Sequence, residues 1–362
     1  EGQASVNVQD HCQRTPLHIA AVNGRTAVVQ LLLDAKATVD ATDDRGKTPF
    51  YRAVQYWHAA TAQLLVDAKA TLYVEKGWNR ASSLHDAAKM GDLEKLRTLI
   101  KAKAVVDVED TDGLSPLHWA AANGHDKAVE LLVTAKATLD STSRFKRTPL
   151  HLAVVYGHHA AAEVLINAGA ALDAKDFRGR APLHRAAAKG DIASVSQLLA
   201  AKANLHIEDY NQNTAVVRAA ERGNTSIVQL LANAIVAQGA EVELFAPLYA
   251  AVTSGHCATV QMLIDAKAPV NIEDPRRLTA LHVAAQNGNS DIAQVLVDAK
   301  AFVDAKNEND ETPLHVAVRR SHTAVLQVLI DAKANLNARS KDMTSLYLAL
   351  LEGSSTIVQQ LL

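Results

Sequence analysis

The chain has 362 residues, of which 48% are apolar and only 4% aromatic, and its formal net charge is −2. Because the charge is almost balanced, composition gives no general case for nucleic-acid binding, which would need a local basic patch. No apolar run approaches the roughly 18 residues of a membrane-spanning helix, and the sequence shows no signal-peptide pattern. Two isolated cysteines favour a reducing compartment, so we expect an intracellular protein, cytoplasmic or nuclear.

A four-residue motif recurs through the whole chain, with Thr-Pro-Leu-His as its clearest form. Successive copies lie 32 to 34 positions apart. A fixed period of this size is typical of a stacked solenoid, in which each repeat buries its apolar surface against its neighbours. The last residues of the eleven copies are His18, Tyr51, His85, His118, His151, His184, Val217, Tyr249, His282, His315 and Tyr347.

The fifth repeat shows why the motif predicts a pair of helices. Thr148 suits an N-cap, because its hydroxyl can accept from a free backbone N–H, and Pro149 suits the first helical position, where no N–H is needed. Gly157 can end this helix in the left-handed region at little steric cost. A second helix with apolar spacing follows, and its apolar face has no partner within the repeat. The next repeat must therefore cover that face.

The motif, its period and the glycine that follows most copies resemble the ankyrin repeat, over essentially all 362 residues. The resemblance implies an all-α solenoid of about eleven helix–turn–helix repeats spanning residues 1–362 as one domain. It also implies β-hairpin fingers, as around residues 43–46 and 176–179, and partners bound on the finger tips and first helices. The function implied is a protein-binding scaffold.

Fifteen histidines could suggest a metal site or catalysis. Seven of them end the motif, and in the family that imidazole hydrogen-bonds between adjacent repeats. His158 and His159 form an adjacent pair outside the motif, but no cysteine or carboxylate stands at metal-ligand spacing from them. No glycine-rich phosphate loop or nucleophile motif occurs either. We therefore expect no enzyme, no metal and no cofactor.

Lysine replaces the family's usual glycine at the exit of eight second helices. A left-handed non-glycine residue costs about 1–2 kcal/mol, whereas a cation near a helix C-terminus returns about 0.3–1 kcal/mol. The lysines are therefore either tolerated caps or a row of cations facing an acidic surface. The positions are Lys36, Lys69, Lys103, Lys136, Lys202, Lys267, Lys300 and Lys333, and Gly169 keeps the glycine.

The fingers and first helices of the fifth to seventh repeats gather arginines and aromatic residues, which dominate the energetics of interfaces. We expect this surface to hold a protein with an acidic patch; the alternative is a solvated rim without a partner. RNA is less favoured, because the basic stretch is short. The predicted partner-binding residues are Arg144, Phe145, Arg147, Tyr156, Phe177, Arg178, Arg180, Lys189, Tyr210 and Arg222, with Lys146 beside them.

The seventh repeat departs from the pattern. Its motif ends in Val217, and the exit glycine, Gly239, arrives four residues late. The sequence therefore predicts an extended second helix and a shortened finger in the segment 231–245. We interpret this either as neutral drift or as a notch that shapes a partner site near Phe245.

Both ends of the sequence fall inside a repeat, and the first residue is not Met. The simplest interpretation is a segment of a longer array. The alternative is head-to-tail stacking of copies, which makes a structural subunit of a filament or large assembly the rival function.

Overall fold

The computed structural model describes residues 5–56, 58–70 and 83–362. In these residues 22 α-helices, numbered in chain order, alternate as the first and second helix of each repeat. The first helices are α1 (Pro16–Val22), α3 (Pro49–Gln55), α5 (Ser83–Met90), α7 (Pro116–Ala122), α9 (Pro149–Tyr156), α11 (Pro182–Lys189), α13 (Ala215–Glu221), α15 (Phe245–Ser254), α17 (Ala280–Asn287), α19 (Pro313–Arg319) and α21 (Ser345–Leu351). The second helices are α2 (Thr26–Asp34), α4 (Ala59–Asp67), α6 (Leu93–Lys101), α8 (Asp126–Thr134), α10 (His159–Asn167), α12 (Ile192–Ala200), α14 (Thr225–Val236), α16 (Cys257–Asp265), α18 (Ser290–Asp298), α20 (Thr323–Asp331) and α22 (Ser355–Leu361).

The motif starts five of the first helices, α1, α7, α9, α17 and α19, through a reciprocal cap, as α9 shows. Thr148 Oγ1 accepts from the backbone N–H of His151 at 3.4 Å, and His151 Nδ1 accepts from the backbone N–H of Thr148 at 3.2 Å. The other ring nitrogen, Nε2, donates to the carbonyl of Arg180 at 2.9 Å. Because a carbonyl can only accept, Nε2 carries the ring proton, and because Nδ1 accepts from the N–H of Thr148, Nδ1 carries none. The imidazole is therefore neutral. One histidine thus caps its own helix and ties it to the next finger.

The lysines at the second-helix exits are left-handed, as the sequence predicts. All eight have positive φ, between 57° and 67°. Their backbone N–H groups close the helix ends, as where Lys136 donates to the carbonyl of Val133 at 2.9 Å. The eight side chains are exposed. These residues therefore take the conformation that glycine adopts more cheaply.

The fingers are compact turns, most of them built around one acidic residue. In the finger before α7, Asp110 Oδ1 accepts from the backbone N–H groups of Asp112 and Leu114, each at 2.9 Å. Side-chain bonds of this kind fix a tight turn without a ladder. In the part of the chain that the structure describes, the finger with strands is the one before α21, where β1 (Arg339–Ser340) pairs antiparallel with β2 (Met343–Thr344).

The chain forms two compact units, and in each of them neighbouring repeats bury small and branched side chains. Unit one comprises Glu1–Pro182 with Ser196–Ala203, and unit two Leu183–Val195 with Asn204–Leu362. In unit one α7 packs on α5 and α9, and in unit two α15 packs on α13 and α17. Leucines such as Leu117 and Leu248 are fully buried in these layers. Among the described residues, no helix is long and apolar enough to cross a bilayer.

The segment between α14 and α15 differs from the other connections of unit two. α14 has 12 residues, whereas α16, α18 and α20 have nine each. A 3-10 helix, Glu241–Leu244, then leads directly into α15. This segment takes the place of a finger, so α15 begins where other repeats still have a turn.

Candidate partner-binding surface

The fingers before α7, α9 and α11 are joined by backbone hydrogen bonds, which hold their side chains in a row. The N–H of Arg144, before α9, donates to the carbonyl of Asp112, before α7, at 2.7 Å. The N–H of Phe177, in the following finger, donates to the carbonyl of Phe145 at 3.0 Å. Neighbouring finger tips therefore have fixed spacing, and a partner would meet a preformed surface.

Two exposed phenylalanines form the centre of this row. The rings of Phe145 and Phe177 lie 5.5 Å apart between centroids, tilted by 55°. Phe145 is 50% exposed and Phe177 39%. The guanidinium of Arg147 lies 5.8 Å from the centroid of the Phe145 ring, and that of Arg178 lies 5.2 Å from the Phe177 ring. Exposed aromatic area is thus combined with positive charge.

A small pocket opens beside Phe145, between the fingers and helices α7 and α9. Its volume is about 210 Å³. Its lining is Asp112, Leu114, His118, Trp119, Ala122, Ser143, Phe145, Arg147, Leu152 and Tyr156. Trp119 is oriented by a hydrogen bond from Nε1 to Asp110 Oδ2 at 2.9 Å, and Lys89 lies 4.7 Å from its ring centroid. The aromatic walls of the pocket are therefore held in place before a partner arrives.

The charged residues of the pocket lining are Arg147 and Asp112. Burial lowers the pKa of His118 to about 4, so this lining residue is neutral at pH 7. The buried Nε of Arg147 has no hydrogen-bond acceptor among the described residues. A buried donor without an acceptor is costly.

The comparisons with known proteins decide the family. A family model described as ankyrin repeats (3 copies) matches residues 2–76, 84–176, 183–274, 248–340 and 281–362. The chain belongs to the ankyrin-repeat family. Ankyrin repeats are generally protein–protein interaction modules. A search of curated proteins found no match to this chain.

Seven of the ten predicted partner-binding residues lie in the ankyrin repeats of unit one, from Arg144 to Arg180. The structure places Phe145, Arg147 and Tyr156 in the lining of one pocket. Arg144 and Arg178 are exposed on neighbouring fingers. The other three belong to unit two: Lys189 ends α11, Tyr210 is an exposed finger residue, and Arg222 caps the end of α13.

Sequence reasoning missed two residues of this surface, Trp119 and Lys89. It also missed a second row of histidines that join ankyrin repeats. His158 Nε2 donates to the carbonyl of Ala122 at 3.0 Å. The His158 ring packs against Gly124, where an added Cβ would lie 2.5 Å from Nδ1 of His158. His58, His125, His256 and His322 make the same contacts with the preceding repeat. A histidine 33 or 34 residues after a glycine was the available signal.

Proposed function

We propose that the protein is a non-catalytic scaffold whose first unit binds an acidic segment of a partner protein. The fingers before α9 and α11 and the exposed end of α9 form the contact surface. An apolar or aromatic side chain of the partner enters the pocket beside Phe145, and flanking carboxylates meet the arginines.

The observation that carries this proposal is the combination of Trp119, Phe145 and Tyr156 with the guanidinium of Arg147 around one pocket. Aromatic and arginine side chains are the usual anchors of interfaces. Tyr156 is 56% exposed. Arg144, Lys146 and Arg178 are also exposed and add charge around the opening. A partner with flanking acidic residues is therefore complementary to this surface.

The experiment uses the full chain and a short peptide in which glutamates flank a Leu-Phe pair. Arg144→Glu combined with Arg178→Glu should weaken binding about tenfold or more at low salt, because both reversals place like charges against the peptide. Binding should also weaken as salt rises, since exposed charges are screened over about 8–10 Å at physiological ionic strength. Fluorescence anisotropy of the labelled peptide measures both effects.

Two controls distinguish binding at this surface from non-specific attraction between charges. Arg25→Glu with Lys127→Glu makes the same charge change at the starts of α2 and α8, on exposed residues of the same unit, and should leave affinity nearly unchanged. A peptide with glutamines in place of the glutamates should bind more weakly. Equal affinity of the wild type and the Arg144/Arg178 variant would remove the surface from the proposal.

A further inference from the structure

Unit two contains a larger cavity at the place where the finger before α15 is missing. The cavity has a volume of about 370 Å³ and lies between α13, α15 and the finger before α17. That volume falls at the lower end of the range for binding pockets, about 300–1,000 Å³. We call it the notch, and its lining is Asn213, Val217, Glu221, Phe245, Ala246, Tyr249, Ala250, Thr253, Ser254 and Asp274.

The loss of the finger explains the walls of the notch. In unit two the motif histidine His184 donates from Nε2 to the carbonyl of Asn213, in the following finger, at 3.0 Å. In the repeat of α13, the finger that would supply this carbonyl is replaced by the 3-10 helix Glu241–Leu244, so a histidine at the motif position of α13 would lack its acceptor. That position holds Val217, which is 5% exposed. Phe245 opens α15, and its ring lies 5.7 Å from that of Tyr249 between centroids. The walls are consequently aliphatic and aromatic.

The charged side chains that line the notch are carboxylates. They are Glu221 and Asp274, and no lysine or arginine belongs to the described lining. Glu221 accepts from Arg218 at 2.9 Å, and Arg218 also pairs with Asp209. Two carboxylates, Glu221 and Asp274, thus lie at the edge of an aromatic cavity.

Asp274 differs from the corresponding Asp43 and Asp209, and resembles Asp110, whose Oδ2 accepts from Trp119 and not from a cation. Asp43 pairs with Arg52 and Asp209 with Arg218, in each case with a residue nine positions further along the chain. Nine positions after Asp274 stands Val283, which cannot pair, and the described residues include no ion pair to Asp274. Asp274 thus keeps a negative charge that a cation neutralises in the fingers of Asp43 and Asp209.

The bond that Asp274 does make leaves this charge in place. Tyr249 donates its hydroxyl to Asp274 Oδ2 at 3.0 Å. Burial and this hydrogen bond raise the pKa of Tyr249 to about 12, so the hydroxyl stays protonated and neutral. The nearby Arg276 is exposed on the finger and does not line the notch.

We propose that the notch is a second recognition site, which takes a cationic side chain, arginine or lysine, from an exposed basic segment of a partner. The cation would lie against the faces of Phe245 and Tyr249 and face Asp274 and Glu221. Aromatic faces and carboxylates both attract a cation, and the attraction strengthens as water is removed. The site is opposite in sign to the surface of unit one and does not depend on the function proposed for it.

The test is a methyl NMR titration of the full chain with a Gly-Ser peptide that carries one central arginine. The methyl signals of Ala246, Ala250 and Thr253 report on the notch, because these residues line it. We expect saturable shifts of these signals. The counterpart peptide with citrulline, which is neutral and of similar shape, should cause much smaller shifts.

Asp274→Asn is the decisive variant, and it should weaken binding of the arginine peptide about fivefold. The fold tolerates asparagine at this position, because Asn307 closes the following finger through the same bonds from Oδ1 to the N–H groups of Asn309 and Glu311. Phe245→Leu keeps the apolar volume but removes the aromatic face, and should weaken binding about threefold.

Asp331→Asn is the matched control, because it removes one exposed carboxylate of the same unit outside the notch, and it should leave binding unchanged. Equal binding of the citrulline peptide would show an apolar site and overturn the proposal. Unchanged affinity of Asp274→Asn, or no saturable shift of the three methyl signals, would overturn it as well.

Discussion

The surface of unit one and the notch of unit two are built on the same repeat, yet they carry opposite charge. In unit one the fingers before α7, α9 and α11 are complete, and those before α9 and α11 present Arg144, Phe145 and Arg178 in a row fixed by finger-to-finger hydrogen bonds. In unit two a 3-10 helix replaces one finger, and the loss opens a cavity with Asp274 at its edge. An ankyrin array can thus make a site by adding side chains to fingers or by removing a finger.

The opposite charge of the two surfaces follows from the positions of the charged residues within a repeat. Cations on the finger tips are exposed, as Arg144 and Lys146 are. The carboxylate at the base of a finger is a structural group that holds the turn, as Asp110 does. Removing a finger therefore takes away tip residues and exposes a structural carboxylate of the next one.

The largest loss of stability should come from overpacking the contact between Gly124 of one repeat and His158 of the next. Gly124→Ala places a Cβ 2.5 Å from His158 Nδ1, whereas Gly239→Ala meets nothing within 4 Å. Their φ angles are 72° and 73°, so both carry the same backbone cost of about 1–2 kcal/mol. Overpacking should add about 1–3 kcal/mol at Gly124 alone. Hydrogen exchange of the flanking helices measures the loss for each variant.

Gly239→Ala is the control for backbone strain in this comparison. Because solenoids do not always unfold in one step, local exchange is a better measure than a single midpoint. Equal losses at the two positions would mean that His158 moves away at no cost. The close contact at Gly124, which Gly239 lacks, would then make no difference to the free energy of unfolding.

The sequence predicted the helix pairs because most copies of the motif carry a cap residue and are followed by a glycine, and the left-handed lysines because they stand in phase with Gly169. The late Gly239 likewise indicated a longer second helix, and α14 has 12 residues. Trp119 was missed because its role depends on the bond of its Nε1 to Asp110 and on a pocket shared with the next repeat. For the segment near Phe245 the sequence left two interpretations open, neutral drift or a notch. The negative charge of the notch could not be predicted, because it depends on which side chains contact Asp274.

Acid should destabilise the regular repeats more than the irregular segment. Burial lowers the pKa of His118 to about 4 from the usual value of about 6.5 for histidine, and lowers that of His18, His85, His282 and His315 as well. The unfolded chain therefore binds protons that the folded chain does not, and stability falls as pH drops from about 6.5 towards 4. His118 alone should cost about 2 kcal/mol between pH 7.5 and 5.

The measurement is hydrogen exchange at the two pH values, corrected for the intrinsic exchange rate. Protection of α7 should fall more than that of α14, because the motif position of the seventh repeat is Val217. His118→Gln should lower stability at pH 7.5 and flatten its dependence on pH. An unchanged pH dependence in that variant would show that other groups titrate with folding.

The smallest effect concerns the second-helix exits, which are alike in the two units. Lys136→Gly in unit one and Lys300→Gly in unit two should each stabilise the protein by up to about 1 kcal/mol, because glycine relieves the left-handed strain. The gain is small, since the cation at the helix end is lost and about 0.3–1 kcal/mol goes with it. Gly169→Lys should give the opposite sign, and urea unfolding compares all three variants. A clear loss of stability in Lys136→Gly would mean that the lysine makes a stabilising contact, and the exits of the two units would no longer count as equivalent caps.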